Sequence, residues 1–170
     1  SSSTATSETT TPTIHFTAAF HPEETELLDF MVEAFNHEVE GLDDVEVWIH
    51  TCWGNPMMQK VYSGESYANS IDTYLNRLKG DVWTVEMTER DFAEIGLFKP
   101  YAGNLAKKVA VGVVNHRQLQ ADLPAVVAGR VRRALEAIPA DKLVLSSDCG
   151  FGRQGCNRTV AYYKAAAIAQ

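Results

Sequence analysis

His50 and Cys52 stand in His-Thr-Cys, Glu86 in Thr-Val-Glu, and Cys149 in Asp-Cys-Gly-Phe-Gly. One imidazole, two thiolates and a carboxylate form a donor set whose softness suits zinc better than magnesium or calcium. Two thiolates and a carboxylate carry three negative charges against the ion's two positive ones. Such a centre would be electron-rich and a weaker Lewis acid than zinc held by three histidines. It would deprotonate an incoming thiol and leave the sulfur nucleophilic, a chemistry of alkyl transfer rather than of hydrolysis. Each residue alone has a plainer reading. A His-x-Cys is ordinarily a packed histidine beside a buried cysteine. Glu86 suits the start of a helix that Thr88 and Glu89 also favour, and Cys149 suits a small buried hydrophobe. Gly150 and Gly152, however, place Cys149 in a loop, and three separate strand ends converge. Cys156, a few residues on, is spare or an alternative to Cys149.

Bringing these donors together requires strands that end in step. Leu28, Met31, Val32, Phe35 and Val39 recur at helical spacing, with Pro22 ahead of them and Gly41 stopping the run. Val45 to Ile49 reads as a short strand, and Tyr67, Ile71, Tyr74, Leu75 and Leu78 as the next helical stripe, closed by Gly80. Val82 to Val85 follows as a strand, Asp91 to Phe98 as a short helix and Val109 to Val114 as a strand. Val127, Val131, Ala134, Leu135 and Ile138 make a helix face, with Pro124 near its start and Pro139 beyond its end. Leu143 to Leu145 is the last strand, before a loop with Gly150, Gly152 and Gly155 and an Ala-rich terminal helix.

Strand then helix, four times after a leading helix, predicts an α/β fold of parallel βα units with right-handed crossovers. Four units are half of a TIM (β/α)8 barrel, which usually needs about 250 residues. Four strands cannot close on themselves and would leave two unpaired edges. The expected partner is therefore the missing barrel half, supplied by a longer chain, a second subunit or a homodimer. A small open sheet covered by helices on both faces is the alternative. In either fold functional groups gather at the carboxyl ends of the strands, where the four donors fall.

With 170 residues and 45% apolar composition, one domain with a substantial core is expected. Residues 1–13, mostly Ser and Thr, predict a disordered tail or linker, leaving 14–170 as the folded region. The 15 basic and 22 acidic side chains give a net charge of −7. No basic stripe is evident, which argues against nucleic acid as a partner. No apolar run approaches the roughly 20 residues that span a bilayer, and the N-terminus lacks both a basic segment and an apolar signal core. A cytoplasmic protein without membrane contact is expected. Three cysteines, an odd number without an export signal, argue against a disulfide framework.

Four segments carry a resemblance: His-Thr-Cys-Trp-Gly-Asn at 50–55, Asp-Val-Trp-Thr-Val-Glu at 81–86, Gly-Val-Val-Asn-His-Arg at 112–117 and Asp-Cys-Gly-Phe-Gly-Arg at 148–153. In this order they resemble the catalytic barrel of cobalamin-independent methionine synthases and the wider zinc alkyltransferase family that includes epoxyalkane coenzyme M transferases. The resemblance spans most of the chain and implies the C-terminal half of the barrel, strands five to eight. It implies a zinc ion held by His50, Cys52, Glu86 and Cys149, with Glu86 the ligand readiest to loosen. It also implies attack of a substrate thiolate on an activated alkyl carbon. For a methionine synthase the thiol is homocysteine and the donor a methyl folate; a relative using coenzyme M or another small thiol is the near alternative. A closed structural or regulatory zinc module is the alternative of a different kind. The family's first four strands help to hold both substrates. The stretch Trp53 to Ser66, with Pro56, Met57 and Met58, resembles the shorter enzymes of the family.

Three further residues are candidates. Asp148 could orient a zinc ligand, bind a substrate amine or cap its loop. His116, ending the third strand, could act as an acid, orient a substrate or pack. Trp53 is expected as a pocket wall, and His15, His21 and His37 as surface or capping residues.

Overall fold

The structure, a computed structural model, describes residues 25–53, 66–152 and 155–169. The expected tail at 1–13, Pro22 and most of the Trp53 to Ser66 stretch lie outside them. Helix α1 (Thr25–Glu38) is followed by strand β1 (Trp48–Thr51), β2 (Val82–Val85), β3 (Lys108–Val114), helix α2 (Pro124–Leu135), β4 (Leu143–Ser147) and α3 (Arg158–Ala169). The four strands form one parallel sheet in the order β1-β2-β3-β4. Sequential neighbours in parallel require a crossover between each pair, as the alternating sequence pattern predicts.

Local chemistry explains most boundaries. Val39 N still bonds back to Phe35 O, and the chain turns at Gly41, whose φ of +81° costs a residue without Cβ nothing. Pro124 opens α2, where no backbone donor is needed. Two connections differ from expectation. The stripe from Tyr67 to Leu78 ends in a π-helical turn, Thr73–Arg77, with Leu78 N bonded to Thr73 O. That wider turn buries Thr73, Tyr74 and Leu75 together. The stretch Asp91 to Phe98 is not a helix: Asp91 and Phe92 both take positive φ, 46° and 58°, which breaks helical continuity before a 3₁₀ segment at Ile95–Tyr101. The first strand begins at Trp48 rather than Val45, because Val47 N bonds to the Asp81 carboxylate and its carbonyl takes Asp81 N and Val82 N.

The register divides the sheet into two chemically distinct faces. Ile49, Trp83, Val85, Val109 and Val111 point to the helical side and are almost completely buried. Trp83 is the anchor there: Tyr74 stacks on it at 4.8 Å and 11°, Tyr67 meets it edge-on at 5.7 Å, and Phe98 lies at 5.6 Å. The opposite face carries His50, Thr84, Ala110, Gly112 and Ser146. These are small or polar groups, suited to a strand-lined interior rather than to helix packing. Among the described residues no helix is long and apolar enough to cross a membrane.

Candidate metal centre

His50 lies within β1, and Cys52 follows its last residue by one, so both project to the same side. Cys149 follows β4 by two residues. One ligand atom from each of His50, Cys52 and Cys149 lies within 4.8 Å of the others. These three donors come from opposite edges of the sheet, and none of the described cysteines is in a disulfide.

Thr84, directly across from His50 in the register, sets the imidazole's state. The Thr84 hydroxyl donates to Ile49 O at 3.2 Å, so its oxygen is left to accept from His50 Nδ1–H at 2.6 Å. This arrangement leaves the lone pair on Nε2, which is buried and has no hydrogen-bond partner. A buried nitrogen acceptor beside two thiols is the state a zinc-ligating histidine requires, with its other nitrogen tied to an acceptor. Two sulfurs and one imidazole nitrogen therefore fit zinc in chemical type.

Glu86 stands just past the end of β2. Its carboxylate groups with His116 and Asp148, not with the His50, Cys52 and Cys149 atoms. Arg117 Nε donates to Glu86 Oε1 at 3.0 Å, and Trp53 N donates to Oε2 at 3.1 Å; the glutamate side chain is fully buried. Burial opposes the Arg117 charge, but the hydrogen bond and charge of Glu86, with Glu89 and Cys52 nearby, outweigh it and raise the guanidinium pKa. The Glu86 backbone is held too: Glu86 N donates to Tyr67 Oη at 3.0 Å.

Asp148 is a buried strut. Its Oδ1 accepts from Met87 N at 2.8 Å and Thr88 N at 3.1 Å, and its Oδ2 from the Thr88 hydroxyl. Burial pushes its pKa up to about 6, against the pull of those three donors. The carboxyl thus ties the segment after β2 to the segment that carries Cys149. Gly112 makes room for it: a Cβ there would lie 2.7 Å from Asp148 Cα. The β3–β4 register also shifts between Gly112 and Val114. His116 is buried at the end of β3, among these acids. Trp53 is buried with its ring 4.5 Å from that of Tyr67, joining the aromatic cluster. Cys156 lies outside the three-donor group. Of the remaining histidines, His37 is exposed on the last turn of α1 beside Glu40, while His15 and His21 lie outside the described residues.

Sequence reasoning missed Thr84, Arg117, Gly112 and Lys164. Lys164 on α3 is completely buried, and its Nζ donates to Asn115 O at 2.8 Å and Gln120 O at 2.6 Å. Asp122 joins it at 3.7 Å and pairs with Arg130 at 2.5 Å, fixing the loop that carries His116 and Arg117. Arg117 had a legible signal, a cation directly after a strand that ends among donors. Lys164 had none, since a lysine in an Ala-rich helix reads as solvated.

A family model described as the cobalamin-independent synthase catalytic domain matches residues 19–169. The chain is 28% identical to a 2-hydroxypropyl-CoM lyase of Xanthobacter autotrophicus, over 72% of this chain and 39% of that protein. It is 25% identical to a methionine synthase of Thermococcus kodakarensis, over 85% of this chain and 37% of that one. Among solved structures, a B12-independent methionine synthase from Shewanella sp. W3-18-1 in complex with selenomethionine superposes with a TM-score of 0.73 at 21% identity, over 92% of this chain and 46% of that chain. The chain thus spans less than half the length of each of these relatives. The match over residues 19–169 and the four sequential parallel strands make the chain a member of the cobalamin-independent synthase catalytic-domain family, folded as the C-terminal half of a (β/α)8 barrel.

Proposed function

We propose that this chain carries the zinc-binding part of a thiol alkyltransferase, in which a methyl group passes from a methyl-folate-like donor to a homocysteine-like thiol. The observation that carries this reading is the convergence of His50, Cys52 and Cys149 within 4.8 Å, with the His50 tautomer set by Thr84. Bound zinc would supply a site at which a thiol ionises at neutral pH while its sulfur stays nucleophilic. The protein's own residues orient and charge that site. Thr84 aims the imidazole, Asp148 holds the Cys149 segment against Met87 and Thr88, and Arg117 balances the buried Glu86 charge. His116 stands buried beside Glu86 and Asp148, where it could hold a proton, and Asp148 and Trp53, both buried, are assigned to substrate binding as part of the same proposal. The other barrel half, from a longer chain or a second subunit, would complete the pocket for both substrates.

A second reading is favoured by the lyase named among the relatives: a transferase that uses coenzyme M or another small thiol. Metal analysis of the purified protein, followed by zinc-edge absorption with homocysteine or coenzyme M added, tests both. One zinc per chain, lost in Cys52→Ser and Cys149→Ser, supports the site. A third sulfur neighbour appearing with homocysteine favours the first reading, and one appearing only with coenzyme M the second. Unchanged zinc content in both cysteine variants would remove the proposal. A zinc environment that ignores every thiol would indicate a closed structural site.

A further inference from the structure

Glu86 is one residue past Thr51–Val85, the last pair of the β1–β2 ladder, and the same register carried on by one residue sets it beside Cys52. Strand β1 ends at Thr51, so the Glu86 backbone turns to a side chain for its partners. Tyr67 supplies them: Glu86 N donates to Tyr67 Oη at 3.0 Å, and the same hydroxyl donates to Glu86 O at 3.4 Å. The Tyr67 ring has a second role. It lies 4.5 Å from the Trp53 ring, and Trp53 N donates to Glu86 Oε2 at 3.1 Å. One aromatic pair thus braces Glu86 at both ends, main chain and carboxylate. Tyr67, Trp53 and Glu86 are all buried, so water does not compete for these contacts. Tyr67 is itself fixed, its ring meeting Trp83 edge-on at 5.7 Å and its backbone N donating to Glu94 Oε2 at 3.0 Å.

We infer that Tyr67 is a positioning residue that, through the Glu86 backbone and through Trp53, sets where the Glu86 carboxylate stands at the His50, Cys52 and Cys149 centre. A phenol hydroxyl both accepts and donates, so one oxygen meets the N–H and the C=O of the same residue. A phenylalanine of the same shape meets neither. The Glu86 N–H would then be buried without a partner, and its peptide plane would be free to turn. A glutamate reaches its target through a flexible stem, so a small turn at its root moves the carboxylate by much more. A metal centre depends on such supporting contacts to keep its donors in place. Packing against Trp83 and Trp53 needs only the ring of Tyr67, whereas positioning Glu86 needs the hydroxyl as well, which separates the two roles by experiment.

The inference rests on the zinc reading above, and the experiment separates the two. Zinc affinity of the purified protein is measured by chelator competition, and zinc-edge absorption counts sulfur and lighter neighbours. Tyr67→Phe should weaken zinc binding about tenfold with circular dichroism unchanged. It should also alter the shell of lighter neighbours while leaving the sulfur count as it was. In the Glu86→Ala background the same substitution should leave the affinity where it is, because the group that Tyr67 positions is gone. An equal loss in that background, a loss with an unaltered lighter shell, or no loss at all would overturn the inference and leave the zinc site standing. Replacing Tyr67 by 3-fluorotyrosine keeps the hydroxyl but makes its oxygen a poorer acceptor. A smaller loss in the same direction is expected, and this variant carries the test if the phenylalanine variant fails to fold; an affinity equal to wild type would then overturn the inference. Zinc binding indifferent to Cys52→Ser and Cys149→Ser would instead remove the site, and the role of Tyr67 with it.

Discussion

A single threonine hydroxyl decides which nitrogen of His50 faces the two cysteines. With the Thr84 hydroxyl turned to Ile49 O, its oxygen accepts from His50 Nδ1–H, and Nε2 keeps its lone pair. Thr84→Val keeps the shape and removes the acceptor. Zinc affinity is expected to fall about 10–100-fold with circular dichroism unchanged, and Thr84→Ser should recover most of it. An affinity equal to wild type in the valine variant would show that the hydroxyl does not orient the ligand. Glu86 belongs to the same scale. Since its two oxygens are engaged by Arg117 and Trp53 N, Glu86→Ala should weaken zinc retention less than Cys52→Ser or Cys149→Ser does. Equal or greater loss would place the carboxylate on the metal in the resting protein.

Strands β2, β3 and β4 depend on one another through two packing solutions. On the helical face Trp83 fills the space between Tyr67, Tyr74 and Phe98. Trp83→Ala is expected to cost about 3–5 kcal/mol, read as a lowered urea midpoint, with Trp83→Phe costing less. On the other face β3 must lack a side chain at Gly112, because Asp148 passes there with its Cα 2.7 Å from where a Cβ would sit. The obstruction includes backbone, so rotamer adjustment cannot relieve it. Gly112→Ala should destabilise the fold by about 1–3 kcal/mol and also lower zinc content, because the displaced segment carries Cys149. Thermal unfolding and metal analysis of one preparation test both effects. Stability lost without zinc would uncouple Gly112 from the site.

At the scale of the molecule, a parallel sheet of four strands ends in two edges, β1 and β4, with no neighbour among the described residues. Unpaired backbone donors and acceptors along an edge template further pairing. A protein of these 170 residues alone is therefore expected to self-associate with rising concentration. Polypeptide supplying the other four βα units should suppress that association. Sedimentation equilibrium measures both, and a compact monomer at all concentrations would argue against the missing strands. The metal donors reach across this sheet from its β1 edge to its β4 edge, so metal loading should also raise the unfolding temperature of the associated form.

Short apolar runs alternating with helical stripes made the four βα units legible in the sequence, most plainly at β3, where every residue from Val109 to Val114 is buried. The donor residues were legible for a related reason: chemistry-bearing side chains in parallel folds collect where strands end, and Cys52, Glu86 and Cys149 all stand just past such ends. The Arg117 contact to Glu86 was not legible, since Arg117 is 31 positions away in the chain and reaches Glu86 only through the β2–β3 pairing. The tautomer of His50, the gap at Gly112 and the burial of Lys164 were decided in the same way. They are contacts between elements, and local spacing carries no information about which groups meet across a sheet. The sequence by itself determined the βα repeat and the types of donor available for zinc. Only the tertiary structure decided that His50, Cys52 and Cys149 come within 4.8 Å of one another and that Arg117 and the Trp53 backbone hold the Glu86 carboxylate.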